Sequence, residues 1–176
     1  EHLVNMSSNF KWVENYEADL DQSTFFPMLY GKIGNPDMFP FEIHQPMEAA
    51  GPGKSFVYSG GNSIMLLKIL QELTKNSGMP YDRLPWTLLF DPLEMKNVAF
   101  ERDGKGIFIG NSYVHMRPED MAKFGQLFLD DGVYNGKRLI DHDWILRAQE
   151  ITPGEQNPNT PFQYIVDEGV YGKRTL

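Results

Sequence analysis

The chain has 176 residues, 41% of them apolar, a formal net charge of −8 and no cysteine. That apolar content is enough to bury one sizeable core, while the charge argues against nucleic acid or an anionic membrane surface as a partner. Without cysteine there is no disulfide framework, thiol nucleophile or thiolate zinc site, and the compartment stays open, with export slightly favoured.

From Glu1 the chain starts in mid-pattern, with no signal-peptide pattern and no apolar run of membrane-spanning length, and a piece of a longer protein is expected. His2 to Met6 reads as the end of a helix, stopped by Ser7-Ser8-Asn9. Trp12 and Tyr16 follow at a one-turn spacing, which means core packing or the wall of a substrate cleft. Glu17 to Ala50 is read as a long irregular segment, rich in aromatics and in Pro and Gly; such loops often cover a site. His44 lies in it. The four histidines show no metal-ligand spacing, so no metal site and no cofactor is expected.

Pro52-Gly53 breaks the chain, and Phe56-Val57-Tyr58 is a short β-prone run. Gly60-Gly61 reads as a bend, and Asn62 or Ser63 as the N-cap of a helix near 63–75. Ile64, Met65, Leu66, Leu67, Ile69, Leu70 and Leu73 make that helix apolar almost all round, so it is expected inside a larger body. Lys75 to Gly78 stops it, and Pro85 opens a short helix running to Phe90. Val98-Ala99-Phe100 is a candidate strand. Pro118 to Leu129 is an amphipathic helix, with Glu119 and Asp120 at its positive end and Met121, Phe124, Leu127 and Phe128 as its stripe. Asn135-Gly136 marks a hairpin, and Asp141 caps a last helix near 142–150. From Ile151 the composition is that of a loop, with a possible strand opening at Tyr164-Ile165-Val166.

The run Pro52-Gly53-x-x-Phe56-x-Tyr58-Ser59, then a polar bend, Asn62 and a Leu/Ile-rich helix, resembles the serine β-lactamase-like hydrolases. That family includes class C β-lactamases, D-alanyl-D-alanine carboxypeptidases, EstB-type esterases and nylon-oligomer hydrolases. His2 to Asn9 is similar to its His-Leu-Leu-x-Met-x-Ser-Gly segment, with Asn9 in the Gly position. Pro92-Leu93-Glu94-Met95 is similar to its Pro-Leu-Gly-Met signature, with Glu94 in the Gly position. Arg117 to Leu129 and Asp131 to Ile140 resemble its scaffold strongly. Class C β-lactamases carry Asn two residues after the tyrosine; here that residue is Gly60, and Asn62 lies four on, as in the esterase and amide-hydrolase branches.

The resemblance implies a mainly α chain: the helical part of an α/β (α+β) β-lactamase and DD-peptidase fold, with most of its five-stranded antiparallel sheet missing. Residues 1–176 would then be one central portion of such a domain. It also implies Tyr58 as the catalytic tyrosine. Asn62 and, as a cleft wall, Trp12 are the expected substrate-binding residues. The Ser-x-x-Lys nucleophile helix is expected upstream of Glu1. Lys173-Arg174-Thr175 is a poor imitation of the family's later Lys-Thr-Gly strand. A tyrosine keeps its proton at neutral pH, so it relays protons only beside a cation, which is the lysine's place. Two functions fit: a serine hydrolase of small esters, amides or β-lactams, or a non-catalytic binding or scaffold member of the same fold.

Overall fold

A computed structural model gives the fold of residues 1–14, 20–30, 37–149 and 155–156. Tyr16, Gly31, Gly34-Asn35-Pro36, Tyr164-Ile165-Val166 and Lys173-Arg174-Thr175 lie outside the described residues, as does most of the loop expected from Ile151. The helices are α1 (Phe25–Tyr30), α2 (Phe39–Ile43), α3 (Gly60–Thr74), α4 (Pro118–Leu129) and α5 (His142–Gln149), with a π-helical turn at Trp86–Phe90 behind Pro85. The strands are β1 (Ser55–Phe56), β2 (Val98–Phe100), β3 (Val114–Met116), β4 (Val133–Tyr134), β5 (Lys137–Arg138) and β6 (Glu155–Gln156). They pair only in twos among the described residues: β1 with β6 in parallel, β2 with β3 and β4 with β5 antiparallel. The mainly α expectation holds. The chain divides into two compact units, residues 1–68 with 103–111 and 152–176, and residues 69–102 with 112–151.

In the first unit, residues 6–11 run beside residues 46–57. Backbone amides tie the two together, Lys11 to the Pro46 carbonyl, Glu48 to Asn9, Gly53 to Ser7 and Val57 to Met6, each at 2.8 Å. Asn9 sits at φ 71°, so it takes the left-handed turn of the glycine it replaces, and its Nδ2 donates to the Glu48 carbonyl. The segment expected to be irregular holds α1 and α2. Phe25 and Met28, three apart, bury one face of α1, and Pro40 suits the first turn of α2, where its missing N–H is not needed. These join Met38, Val57, Ile64, Ile107, Phe108 and Ile109 as buried apolar residues of this unit.

The second unit packs around Phe90, Leu93, Met95 and Leu127, with Val98, Phe100, Val114, Met116 and Phe124 against them. Asp120 fastens α4 to the preceding turn: its carboxylate accepts from the Asn97 amide at 3.2 Å and from Lys123 Nζ at 3.1 Å. The β4–β5 turn has Asn135 at φ 49° and Gly136 at φ 76°, the paired left-handed residues of a tight hairpin.

One expectation needs correcting. Helix α3 buries Gly60, Gly61, Asn62 and Ile64 at its start, but Ile69, Leu70 and Leu73 are exposed further on. Apolar composition sets what a helix can bury, not how many neighbours it meets along its length.

Glu94 is exposed and stands at φ 55°, in the position where the resembled signature has Gly. A side chain in that conformation costs about 1 kcal/mol. Glu94→Gly is therefore expected to raise stability by about 0.5–1 kcal/mol, and the melting temperature by about 2–4 °C. An unchanged or lower melting temperature would show that this turn holds no strain.

Candidate active site

Tyr58 stands between β1 and α3, and its setting follows from the residues on either side. Val57, Ser59, Gly60, Gly61 and Asn62 are all buried, and Tyr58 alone in this turn is half-buried. The helix begins earlier than the expected cap at Asn62 or Ser63. Ser59 is the cap, its Oγ accepting from the Asn62 amide at 3.3 Å, and Gly60 and Gly61 form the first turn rather than a bend. Glycine serves close packing here. A Cβ at Gly60 would lie 2.6 Å from Asn111 Nδ2 and 3.1 Å from the Phe25 ring, and one at Gly61 would overlap the Glu42 carboxylate.

Two side chains expected to face substrate are placed inside. Asn62 is fully buried: its Oδ1 accepts from Ser8 Oγ at 2.8 Å, and its Nδ2 lies 3.7 Å from Met6 Sδ. A buried amide needs partners, and residues 6–8 supply them. Trp12 is 4% exposed, and its indole Nε1 donates to Glu14 Oε2 at 2.6 Å. Placed this way, neither offers surface to a substrate; both hold the turn that carries Tyr58.

Glu14 and Glu42 are the residues that spacing does not reveal. Glu14 is buried, and its Oε2 accepts from the Gly60 amide at 2.5 Å, at the positive end of α3, where a carboxylate is favoured. Glu42 has no exposed surface and no hydrogen-bond partner on either carboxyl oxygen. Burial, and then the Glu14 charge, raise its pKa to about 7. The same two causes, in the same order, push the Tyr58 phenol above its ordinary value, so it holds its proton at neutral pH. A signal for Glu42 does exist in the sequence: it is a charge directly after the run Phe39-Pro40-Phe41.

The stretch Ser8-Asn9-Phe10-Lys11 has the Ser-x-x-Lys spacing, which the expectation of an upstream motif overlooks. That spacing joins two side chains only on a helix. Here Asn9 is left-handed, Phe10 bridges to Met47, Lys11 is exposed and the Ser8 hydroxyl is held by Asn62. Among the described residues no three His, Cys, Asp or Glu side chains gather as metal ligands. His44 is exposed, with Nδ1 on the Pro40 carbonyl at 2.5 Å.

The packing of Gly61 against Glu42 has a measurable consequence. Gly→Ala inside a helix normally stabilises by about 0.5–1 kcal/mol. Gly61→Ala is expected instead to destabilise by about 1–3 kcal/mol, through overpacking. Adding Glu42→Ala should return part of that loss, because the two positions share one space. Strictly additive effects in denaturant unfolding would contradict the contact.

The Beta-lactamase family model matches residues 1–173. A Bacillus anthracis protein described as a 6-aminohexanoate-dimer hydrolase aligns at TM-score 0.67 and 20% identity, over 88% of this chain and 43% of its own. A protein described as a beta-lactamase from Bacteroides dorei DSM 17855 aligns at TM-score 0.66 and 12% identity, over 99% and 48%. An octameric penicillin-binding protein homologue from Pyrococcus abyssi aligns at TM-score 0.57 and 18% identity, over 85% and 37%. The chain spans less than half the length of each of these structures, and at these identities the likeness is one of fold. By its family match and its fold, this chain belongs to the beta-lactamase family.

Proposed function

We propose that the protein containing this chain is a serine hydrolase that transfers the acyl group of a small ester, amide or β-lactam, with Tyr58 as proton relay. The observation that carries the reading is the placement of Tyr58. Every other residue from Val57 to Asn62 is buried, and Tyr58, half-buried, directly precedes the capped, carboxylate-braced start of α3. Family membership supplies the reaction class, and hydrolases stand among the similar folds. Gly60, two residues after the tyrosine, weighs against penicillin-type chemistry and towards ester or amide cleavage.

Acyl transfer needs a nucleophile, a group to take its proton and donors for the oxyanion. Tyr58 suits the second role once a cation lowers its pKa, since within this chain burial and Glu14 hold it protonated. The serine and lysine that complete the site are proposed to lie outside these 176 residues, because Ser8 and Lys11 do not share a helix face.

Tyr58→Phe removes the hydroxyl and keeps the ring. In the complete protein, stability should change by no more than about 1 kcal/mol. Turnover should fall roughly a hundredfold or more, in kcat and kcat/KM alike. Thermal unfolding and steady-state kinetics on one preparation decide it: full activity in a folded variant would make Tyr58 a packing residue. The 176-residue polypeptide by itself should hydrolyse neither nitrocefin nor nitrophenyl esters above buffer. Turnover that disappears with Ser8→Ala would put the nucleophile at Ser8 and overturn the assignment.

A further inference from the structure

Glu42 is a buried acid that the proposed chemistry does not use. It lies on α2, fully enclosed, with neither oxygen hydrogen-bonded, against the backbone of Gly61 in the first turn of α3. The charged and titratable groups on the elements around it are few. Glu14 comes from the segment before α1, and Tyr58 from the turn before α3. Lys68, later on α3, stands 6.0 Å from the Phe39 ring centre. Asp103 accepts from the Met38 amide at 3.2 Å, at the start of α2. His44, at the end of α2, is exposed and bonded to the Pro40 carbonyl. The charge that acts on Glu42 is thus Glu14, of the same sign.

We propose that Glu42 is kept as a neutral carboxylic acid, enclosed against the first turn of α3, and that in this state it is a positioning device for the turn from Tyr58 to Asn62. A carboxylate sealed from water, with no donor on either oxygen, does not stay ionised; it takes up a proton instead. Two ionised carboxylates in one enclosed site also repel, and one is neutralised. Glu14 is the one fixed as the anion, because it accepts the Gly60 amide and the Trp12 indole at the positive end of α3. Ionising Glu42 would drive it away from Glu14. The space it leaves by is bounded by Gly61, so the first turn of α3 would shift, along with the Ser59 cap and Tyr58. The functional half of this proposal rests on the reading of Tyr58 as proton relay.

Burial, and then the Glu14 charge, push the folded pKa of Glu42 up from an ordinary 4.5 to about 7. Between those values the unfolded chain gives up the proton and the folded chain keeps it. Stability from this group is complete below about 4.5, declines as pH rises through about 7, and is flat beyond.

The test uses the complete protein and compares Glu42→Gln, a neutral stand-in for the protonated acid, with Glu42→Ala. From pH 5 to pH 8 the melting temperature of wild type should fall relative to Glu42→Gln by about 4 °C or more. At pH 6, Glu42→Ala should lose kcat about ten- to a hundredfold with KM near wild type, as a misplaced catalytic group does, and Glu42→Gln should restore it. A melting-temperature difference that does not change with pH overturns the neutral acid, whatever Tyr58 does. Equal loss of kcat in the Gln and Ala variants overturns the positioning role. Full activity of Tyr58→Phe would remove the relay reading and the positioning role with it, while leaving the pH dependence of melting intact. The two failures are therefore distinguishable.

Discussion

The bond from the Gly60 amide to Glu14 Oε2 is the constraint on which the first unit's site depends. The first turn of a helix has amides that no carbonyl of that helix satisfies. At α3 they are met from two directions, by Glu14 at Gly60 and by Ser59 Oγ at Asn62. Both partners are buried, so α3 starts at one defined residue rather than fraying. Tyr58 is the residue immediately before that fixed point. The backbone that carries it is therefore held by contacts on its neighbours.

The same economy appears in the segment of residues 6–11. Its amides and carbonyls bind residues 46–57, and its Ser8 hydroxyl reaches the buried Asn62. A buried side-chain amide left without partners would cost about 1–3 kcal/mol. With Ser8 in place, Asn62 becomes a cross-link between two segments 54 residues apart. In the second unit Asp120 has the matching task, binding the Asn97 amide and Lys123 so that the turn before β2 stays on α4.

Much of this was legible in the sequence, and the parts that were not share a cause. Helices α4 and α5 are written in the spacing of their apolar residues, and the β4–β5 hairpin in Asn135-Gly136, because those signals are local. The family resemblance rested on motifs of the same local kind, and the family match bears it out. The start of α3 lies three or four residues before the expected one because Gly60 and Gly61 normally argue against a helix. What admits them is the pressure of Phe25, Asn111 and Glu42, none of which is near in sequence. Trp12 and Asn62 were expected at a substrate, yet their partners Glu14 and Ser8 draw them inward. The exposure of Ile69, Leu70 and Leu73 likewise depends on neighbours along α3, which composition does not count.

The account's central claim is that the turn from Tyr58 to Asn62 aims a phenol at a serine nucleophile supplied by another part of the protein. The direct measurement is an experimental structure of the complete protein, reading the distance from Tyr58 Oη to the Oγ of the serine in its Ser-x-x-Lys helix. The account predicts hydrogen-bond reach, about 2.6–3.2 Å or one bridging water. A Tyr58 hydroxyl directed into the protein interior, well beyond that reach of any serine, would contradict it.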